Sequence, residues 1–309
     1  MREELELNRA HWDEATRFHL RGNVYGVEDF KAGNCRLHRL EREEVGDVAG
    51  RRLLHLQCHF GIDTLSWARR GAVVTGVDFS PEAVAAAGRL SAETGVPGRF
   101  ICSDVYALDA ALPEPGGFDI VFTSHGVLNW LPELGPWART IAHFLAPGGF
   151  FYIVEAHPTA RVFPTDADLE KAGAFAPCFS YFHDPKGIRW PPARDYADES
   201  TPHTIGEHEW SHSLSDIVGS LLDAGLGLDF LHEFPFCAWK VVAGLELVER
   251  FGASHGYFAQ PAGAPVLPLM FSLKASKPEP RAEAQSRVPT VRPPSTTSSS
   301  PVTKLACAR

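Results

Sequence analysis

The residues with the most chemical promise fall at five places, each directly after a short apolar or β-branched run. They are Gln57-Cys58-His59-Phe60-Gly61, Asp78, Asp104, Ser124-His125-Gly126 and Glu155-Ala156-His157. Asp78 lies 17 residues past Gly61, close to the spacing at which an acidic residue reaches the two hydroxyls of a bound ribose. A carboxylate there accepts both bonds and rejects a 2′-phosphate. Asp104, in Cys102-Ser-Asp-Val, can accept from an adenine amino group, with Phe79 and Val105 sandwiching the ring. Ser80 stands beside them, ahead of a helix. Each Asp also has a plain structural use as a helix or turn cap. His125, Glu155 and His157 are the candidates for moving a proton, and each histidine has the alternative of a satisfied structural hydrogen bond.

A second motif competes. His208-Glu-Trp-Ser-His212 matches His-Glu-x-x-His, which on a helix sets two ligands on one zinc ion with the Glu over its water. Ser211 and Ser213 mark a helix start, however, so residues 208–210 are expected as strand, where the two imidazoles share no site. No third ligand follows, and no metal is expected.

The elements that must position these residues alternate. Arg52–Leu56, Val73–Asp78, Arg99–Cys102, Phe118–Thr123 and Phe150–Glu155 read as strands, with helical segments between them. That alternation is the signature of βαβ units and a doubly wound, mainly parallel sheet, in which ligands bind outside the carboxyl ends of the strands. Ser80-Pro81-Glu82 supplies an N-cap, a proline at the first helical position and an acidic first turn, and Gly95 closes that helix. Later, Ser213-Leu-Ser-Asp216 resembles a capping box, Leu228–Glu233 reads as strand and Pro268–Ala275 as a last strand.

The expected organisation is an N-terminal helical cap (1–50), an α/β core (51–157), an inserted lid rich in proline and aromatic residues (158–207), a return to the core (208–276) and a disordered tail (277–309). The tail holds six prolines and five serines with almost no large apolar residue, too little to offset chain entropy.

The ordered motifs resemble those of the class I S-adenosylmethionine-dependent methyltransferases over roughly residues 50–157. The carriers are Leu54-His-Leu-Gln-Cys-His-Phe-Gly-Ile-Asp-Thr-Leu65, Val77-Asp-Phe-Ser-Pro81, Phe118-Asp-Ile-Val-Phe-Thr-Ser-His-Gly-Val-Leu128 and Leu145-Ala-Pro-Gly-Gly149. They look like one bacterial subgroup, and the likeness extends to Asn8-Arg-Ala-His-Trp-Asp13, His212-Ser-Leu and Asp223-Ala-Gly-Leu226.

The resemblance implies a seven-stranded sheet and S-adenosyl-L-methionine as cofactor. It would be held by Trp12, Gln57, Cys58, His59, Gly61, Asp63, Asp78, Phe79, Ser80, Asp104, Val105, Ser124, His125 and Gly126. The implied activity is methyl transfer to a small-molecule acceptor by in-line displacement, with a base needed only for a hydroxyl or ammonium acceptor. Most of the superfamily has an acidic residue and two or more glycines at the first turn, where this chain has His55, Gln57 and His59 and keeps only Gly61. Asp63 is then the candidate for the methionine amino group. The altered turn motivates an alternative, a non-catalytic relative that binds the cofactor structurally. It also counts against a nicotinamide dehydrogenase, because Gly-x-Gly-x-x-Gly is absent.

Composition narrows the partners. The net charge is −9, and the tail carries six Lys or Arg against two Glu, so the rest is more acidic still. Such a body repels phosphate backbones and anionic membranes. Six scattered cysteines form no disulfide framework. The charged start, Met1-Arg-Glu-Glu, is unlike a signal peptide, and no apolar run is long enough to span a bilayer. A soluble cytoplasmic protein is expected, acting on a small molecule and not on nucleic acid, with a homodimer allowed.

Overall fold

The α/β alternation resolves into a seven-stranded sheet: β1 (Arg52–Leu56), β2 (Val73–Asp78), β3 (Arg99–Cys102), β4 (Phe118–Thr123), β5 (Leu145–Ala156), β6 (Gly227–Phe234) and β7 (Met270–Ser276). In this computed structural model the described residues are 2–22, 24–166, 169, 174–197, 202–248 and 256–280. The strand order is β3-β2-β1-β4-β5-β7-β6. β1 to β5 pair in parallel, and β7 runs antiparallel to both of its neighbours. The order reverses between β1 and β4, which places a ligand crevice at their carboxyl ends.

Successive side chains of a strand point to opposite faces, and the sheet therefore divides two cores. Leu54, Leu56, Val121, Phe151 and Ile153 pack with Trp137 and Ile141 of α7 (Leu134–Phe144) and with Ile217 of α8 (Leu214–Asp223). Leu53, Ile120, Phe122, Tyr152 and Val154 face the other way, toward Trp67 of α4 (Ile62–Arg69) and Val45 of α3 (Arg39–Val45). Burial on both faces explains why these strands read as apolar runs.

Local chemistry sets the element ends. The Ser80 hydroxyl accepts the Ala83 N–H at 3.0 Å to start α5 (Pro81–Thr94), and Gly95 stops it in the left-handed conformation. Ser213 and Asp216 form the expected capping box at the start of α8. Strand β5 begins earlier than expected, at Leu145 instead of Phe150. Gly149 lets the chain pass so close to β4 that a Cβ there would lie 2.8 Å from the Asp119 carbonyl oxygen. Pro147-Gly148-Gly149 thus ends the helix but sits within the strand, where β4 and β5 shift register.

The N-terminal segment is helical: α1 (Arg2–Arg21), α2 (Val27–Lys31) and α3. α1 is clamped to the inserted segment, since the Asn8 side chain donates to the His208 carbonyl at 2.7 Å and accepts the His208 N–H at 2.8 Å. An antiparallel pair, Ile188–Trp190 with Glu207–Glu209, joins the insert to the residues just past its expected end at 207. A three-stranded sheet of Phe236–Cys237, Tyr257–Ala259 and Glu246–Val248 adds to the second core. Lys277 belongs with the folded part, its Nζ donating to the carbonyls of Ala142 and Leu145 at 2.7 and 2.8 Å. The tail beyond residue 280 lies outside the described residues. Among the described residues no helix is long and apolar enough to cross a membrane.

Candidate active site

Beyond Leu56 the chain turns through Gln57 and His59, both non-glycine residues in the left-handed region, at φ 57° and 50°. Each costs about 1–2 kcal/mol, so the turn must be held from outside. The Cys58 N–H donates to the Val77 carbonyl at 2.9 Å, and the His59 N–H donates to Asp78 Oδ2 at 2.7 Å. Asp78 Oδ1 accepts the Ser80 N–H at 2.9 Å. One carboxylate at the end of β2 therefore shapes both its own turn and that of the neighbouring strand. Burial pushes the Asp78 carboxyl up to about 6 against these bonds from Ser80 and His59, which lower it.

At the carboxyl ends of β1, β2, β3 and β4 opens a cavity with about 690 Å³ of empty space, part of it continuous with solvent. Of the residues proposed from the sequence, Trp12, Gln57, Asp78, Phe79, Asp104, Val105, His125 and Gly126 line it. Gln57 donates from Nε2 to the Val127 carbonyl at 3.2 Å, while its Oε1 is buried with no hydrogen-bond partner. Asp104 Oδ1 accepts the Tyr106 N–H at 2.9 Å, so this carboxylate is a turn cap and a cavity wall at once.

The other proposed contacts lie behind this wall. Cys58 is buried, its sulfur packed where a Cβ on Gly76 would come within 2.8 Å. Gly61, at φ 74°, does not serve close approach of a ligand: a Cβ there would stand 2.5 Å from the Phe100 ring, so glycine is required for packing the turn against β3. Ser80 caps α5 and donates to Asp13 of α1 at 2.5 Å. Ser124 Oγ lies 3.2 Å from His55 Nε2. Asp63 occupies the first turn of α4, where burial and the neighbouring Glu41 push its carboxyl up to about 7. His59 points away from the cavity wall toward α1, 2.8 Å from His19.

The three base candidates separate clearly. Glu155 is buried outside the cavity lining. Its Oε1 accepts the Gly126 and Ala156 N–H groups at 2.8 and 2.7 Å, and its Oε2 those of Val127 and Leu128 at 2.7 and 3.3 Å. With four donors on it, it holds the loop after β4 in place of moving protons. His157 is also outside: its Nδ1 accepts the Thr159 N–H at 3.1 Å and its Nε2 lies 2.8 Å from Glu233. His125 does line the cavity, but both of its ring nitrogens are buried without a hydrogen bond. Its Nε2 lies 3.5 Å from Glu41, and burial lowers its pKa.

The sequence reading passed over Trp130. Its Nε1 donates to the Gly126 carbonyl at 2.8 Å, and its ring meets Trp12 edge-on at 5.2 Å, closing the cavity beside Leu5, Tyr106 and Leu131. Its place in Leu128-Asn-Trp-Leu131, just after the Gly126 loop, was the available signal. His208 and His212 bond separate carbonyls, those of Lys186 and Leu131, each at 2.7 Å. No cluster of metal ligands occurs among the described residues.

Residues 54–153 match the family described as a methyltransferase domain. The chain is 32% identical over 121 residues to the ubiquinone biosynthesis O-methyltransferase of Ralstonia nicotianae, covering 39% of this chain and 50% of that protein. It is 35% identical over 117 residues to the protein of the same name from Xanthomonas euvesicatoria pv. vesicatoria, covering 38% and 48%. The chain thus spans about half the length of the curated relatives it matches. In fold it resembles an S-adenosylmethionine-dependent methyltransferase from Clostridium acetobutylicum, at 15% identity and a TM-score of 0.50 over 77% of this chain and 89% of the other. Sheet order, switch-point cavity and matched span agree: residues 54–153 carry a methyltransferase domain of the class I superfamily.

Proposed function

We propose that this protein transfers a methyl group from S-adenosylmethionine to a hydroxyl oxygen of a small organic acceptor. The single observation that carries the reading is the switch-point cavity, where a ribose acceptor, an adenine acceptor and an orphaned amide oxygen open onto one space. Asp78 would accept the two ribose hydroxyls, and Asp104 the adenine amino group between Phe79 and Val105. The buried, unpartnered Gln57 Oε1 suits a donor such as the methionine ammonium, with Asp63 behind it as the counter-charge. The acceptor class follows the O-methyltransferase names of the relatives. When bound, the cofactor supplies an activated methyl group on a sulfonium, and the protein contributes mainly positioning, worth effective molarities of roughly 10⁵ M or more in well-oriented systems.

The test is calorimetric titration of the purified protein with S-adenosylhomocysteine, with a thermal-shift control. Saturable one-to-one binding is expected. At about 100 times its dissociation constant the ligand adds roughly 2.7 kcal/mol of stability. Absence of binding would overturn the reading; binding without turnover of any hydroxyl acceptor would favour the non-catalytic alternative. The net charge of −9 disfavours a phosphate-rich partner and so supports a small acceptor.

A further inference from the structure

Leu5 and Trp12 bring α1 into the cavity wall, and the insert holds α1 there largely through ionisable side chains. Glu14 accepts the Thr204 N–H and hydroxyl at 2.9 and 2.8 Å, and its Oε2 lies 3.3 Å from His203 Nδ1. His203 Nε2 lies 2.8 Å from Asp195 Oδ2, which His19 Nε2 approaches at 3.1 Å. His11, the residue before Trp12, places its Nδ1 3.2 Å from the Ile205 carbonyl oxygen and its Nε2 3.2 Å from Glu207 Oε2. Its ring stacks on that of His203 at 4.2 Å.

Two of these contacts close only with a proton that can be lost near neutral pH. The Ile205 carbonyl only accepts, so His11 Nδ1 carries the hydrogen there, and the neutral ring offers a lone pair at Nε2. Burial and the charge of His203 hold His11 down to about 4. Burial and Glu209 push the Glu207 carboxyl up to about 7, against the pull of His203 and of Arg161. Below that value the carboxyl O–H donates to His11 Nε2, and above it a carboxylate faces a lone pair. His203 is the second contact. Burial lowers it, but the bonds to Asp195 and Glu14 outweigh burial and raise it. As an imidazolium it donates to both carboxylates; as a neutral ring it donates to one and turns a lone pair on the other. Phe18 meets its ring edge-on at 5.0 Å and adds no charge.

Detached from each other, Glu207 returns to about 4.5 and His203 to about 6.5. Both groups thus hold their protons to higher pH in the docked state, and docking weakens as pH rises, through pH 4.5–7 for Glu207 and from 6.5 upward for His203. The two Asn8 bonds to the His208 backbone involve no titrating atom and keep their strength throughout.

We infer that the face between α1 and the insert is a proton-held latch on the cofactor cavity, and that loss of its protons frees the Trp12 wall and speeds cofactor exchange. This rests on the methyl-transfer reading above for the identity of the ligand. Entry and exit pass the same wall, so both rates rise together and affinity is left to the carboxylates of the cavity.

The experiment is amide hydrogen exchange of the ligand-free protein at pH 6 and pH 8, corrected for the intrinsic change in exchange rate. One proton released on opening changes the opening equilibrium by up to about tenfold per pH unit. Protection of α1 is expected to fall about tenfold at pH 8, with β1 and β4 unchanged, and S-adenosylhomocysteine should leave the saturated protein about tenfold faster. In Glu207→Gln the side-chain NH₂ donates to His11 Nε2 at every pH, so α1 protection and the slow exchange should persist further toward pH 8. In His203→Gln the cation is gone, so protection should be low at both pH values. Protection of α1 that is equal at the two pH values, a pH dependence that Glu207→Gln and His203→Gln both leave intact, or a dissociation rate that does not follow α1 protection would overturn the proposal. Absence of S-adenosylhomocysteine binding at either pH, with α1 protection falling as stated, would instead overturn the methyl-transfer reading.

Discussion

Glu155, at the end of β5, grips the loop that leaves β4 by accepting the Gly126 and Val127 N–H groups at 2.8 and 2.7 Å. A carboxylate expected to be a base is a clamp. In Glu155→Gln one side-chain oxygen becomes an NH₂ that cannot accept, stranding buried donors at about 1–3 kcal/mol each. Chemical denaturation should register a loss of about 2 kcal/mol or more. The titration should show at least tenfold weaker S-adenosylhomocysteine binding, because Gly126 and Val127 line the cavity.

Asp78 predicts two pH dependences of opposite sign. Burial raises its carboxyl to about 6, so between pH 4 and pH 6 the native state holds more protons than the unfolded one, and unliganded stability falls as pH rises through that window, by about 2–3 kcal/mol. Ribose hydroxyls need the ionised form, so cofactor affinity should rise over the same range. Denaturation and titration at pH 5 and pH 7.5 check both. Affinity that is flat across pH 6 would contradict the ribose assignment.

Trp130→Phe keeps an aromatic wall against Trp12 but removes the bond to the Gly126 carbonyl. A net hydrogen bond of about 1 kcal/mol corresponds to about a fivefold loss of S-adenosylhomocysteine affinity. Trp130→Ala should cost more, through the lost wall.

Gly61→Ala should damage folding and spare chemistry. Its Cβ would stand 2.5 Å from the Phe100 ring at a positive φ, a combination expected to cost about 2 kcal/mol or more. Gly61 does not line the cavity, so the midpoint of thermal unfolding should drop by several degrees while the affinity of the remaining folded protein stays near that of the wild type. A large affinity loss without a stability change would restore a ligand-facing role for this glycine.

The strands, their caps and the carboxylates after them were legible because they depend on neighbours in the chain. Ser80-Pro81, Gly95 and Ser213–Asp216 signal helix ends through bonds only a few residues long, and runs such as Leu53–Leu56 declare burial on both faces. Asp78 and Asp104 could be placed from spacing alone, since a strand fixes where its last residue emerges.

Contacts between distant segments were another matter. Glu155 and His157 occupy the same strand end, two residues apart, and no local pattern tells that one reaches back to Gly126 while the other turns to Glu233. Nor does spacing show that His19, His59, Asp195 and His203 meet, the last lying 184 positions after the first. Local periodicity and capping thus settle the sheet and put two carboxylates, Asp78 and Asp104, on the cavity at its carboxyl edge. Whether a buried polar group is clamp, wall or base depends on which partners satisfy its hydrogen bonds, and only the packing of α1 and the insert against the first turn supplies those partners.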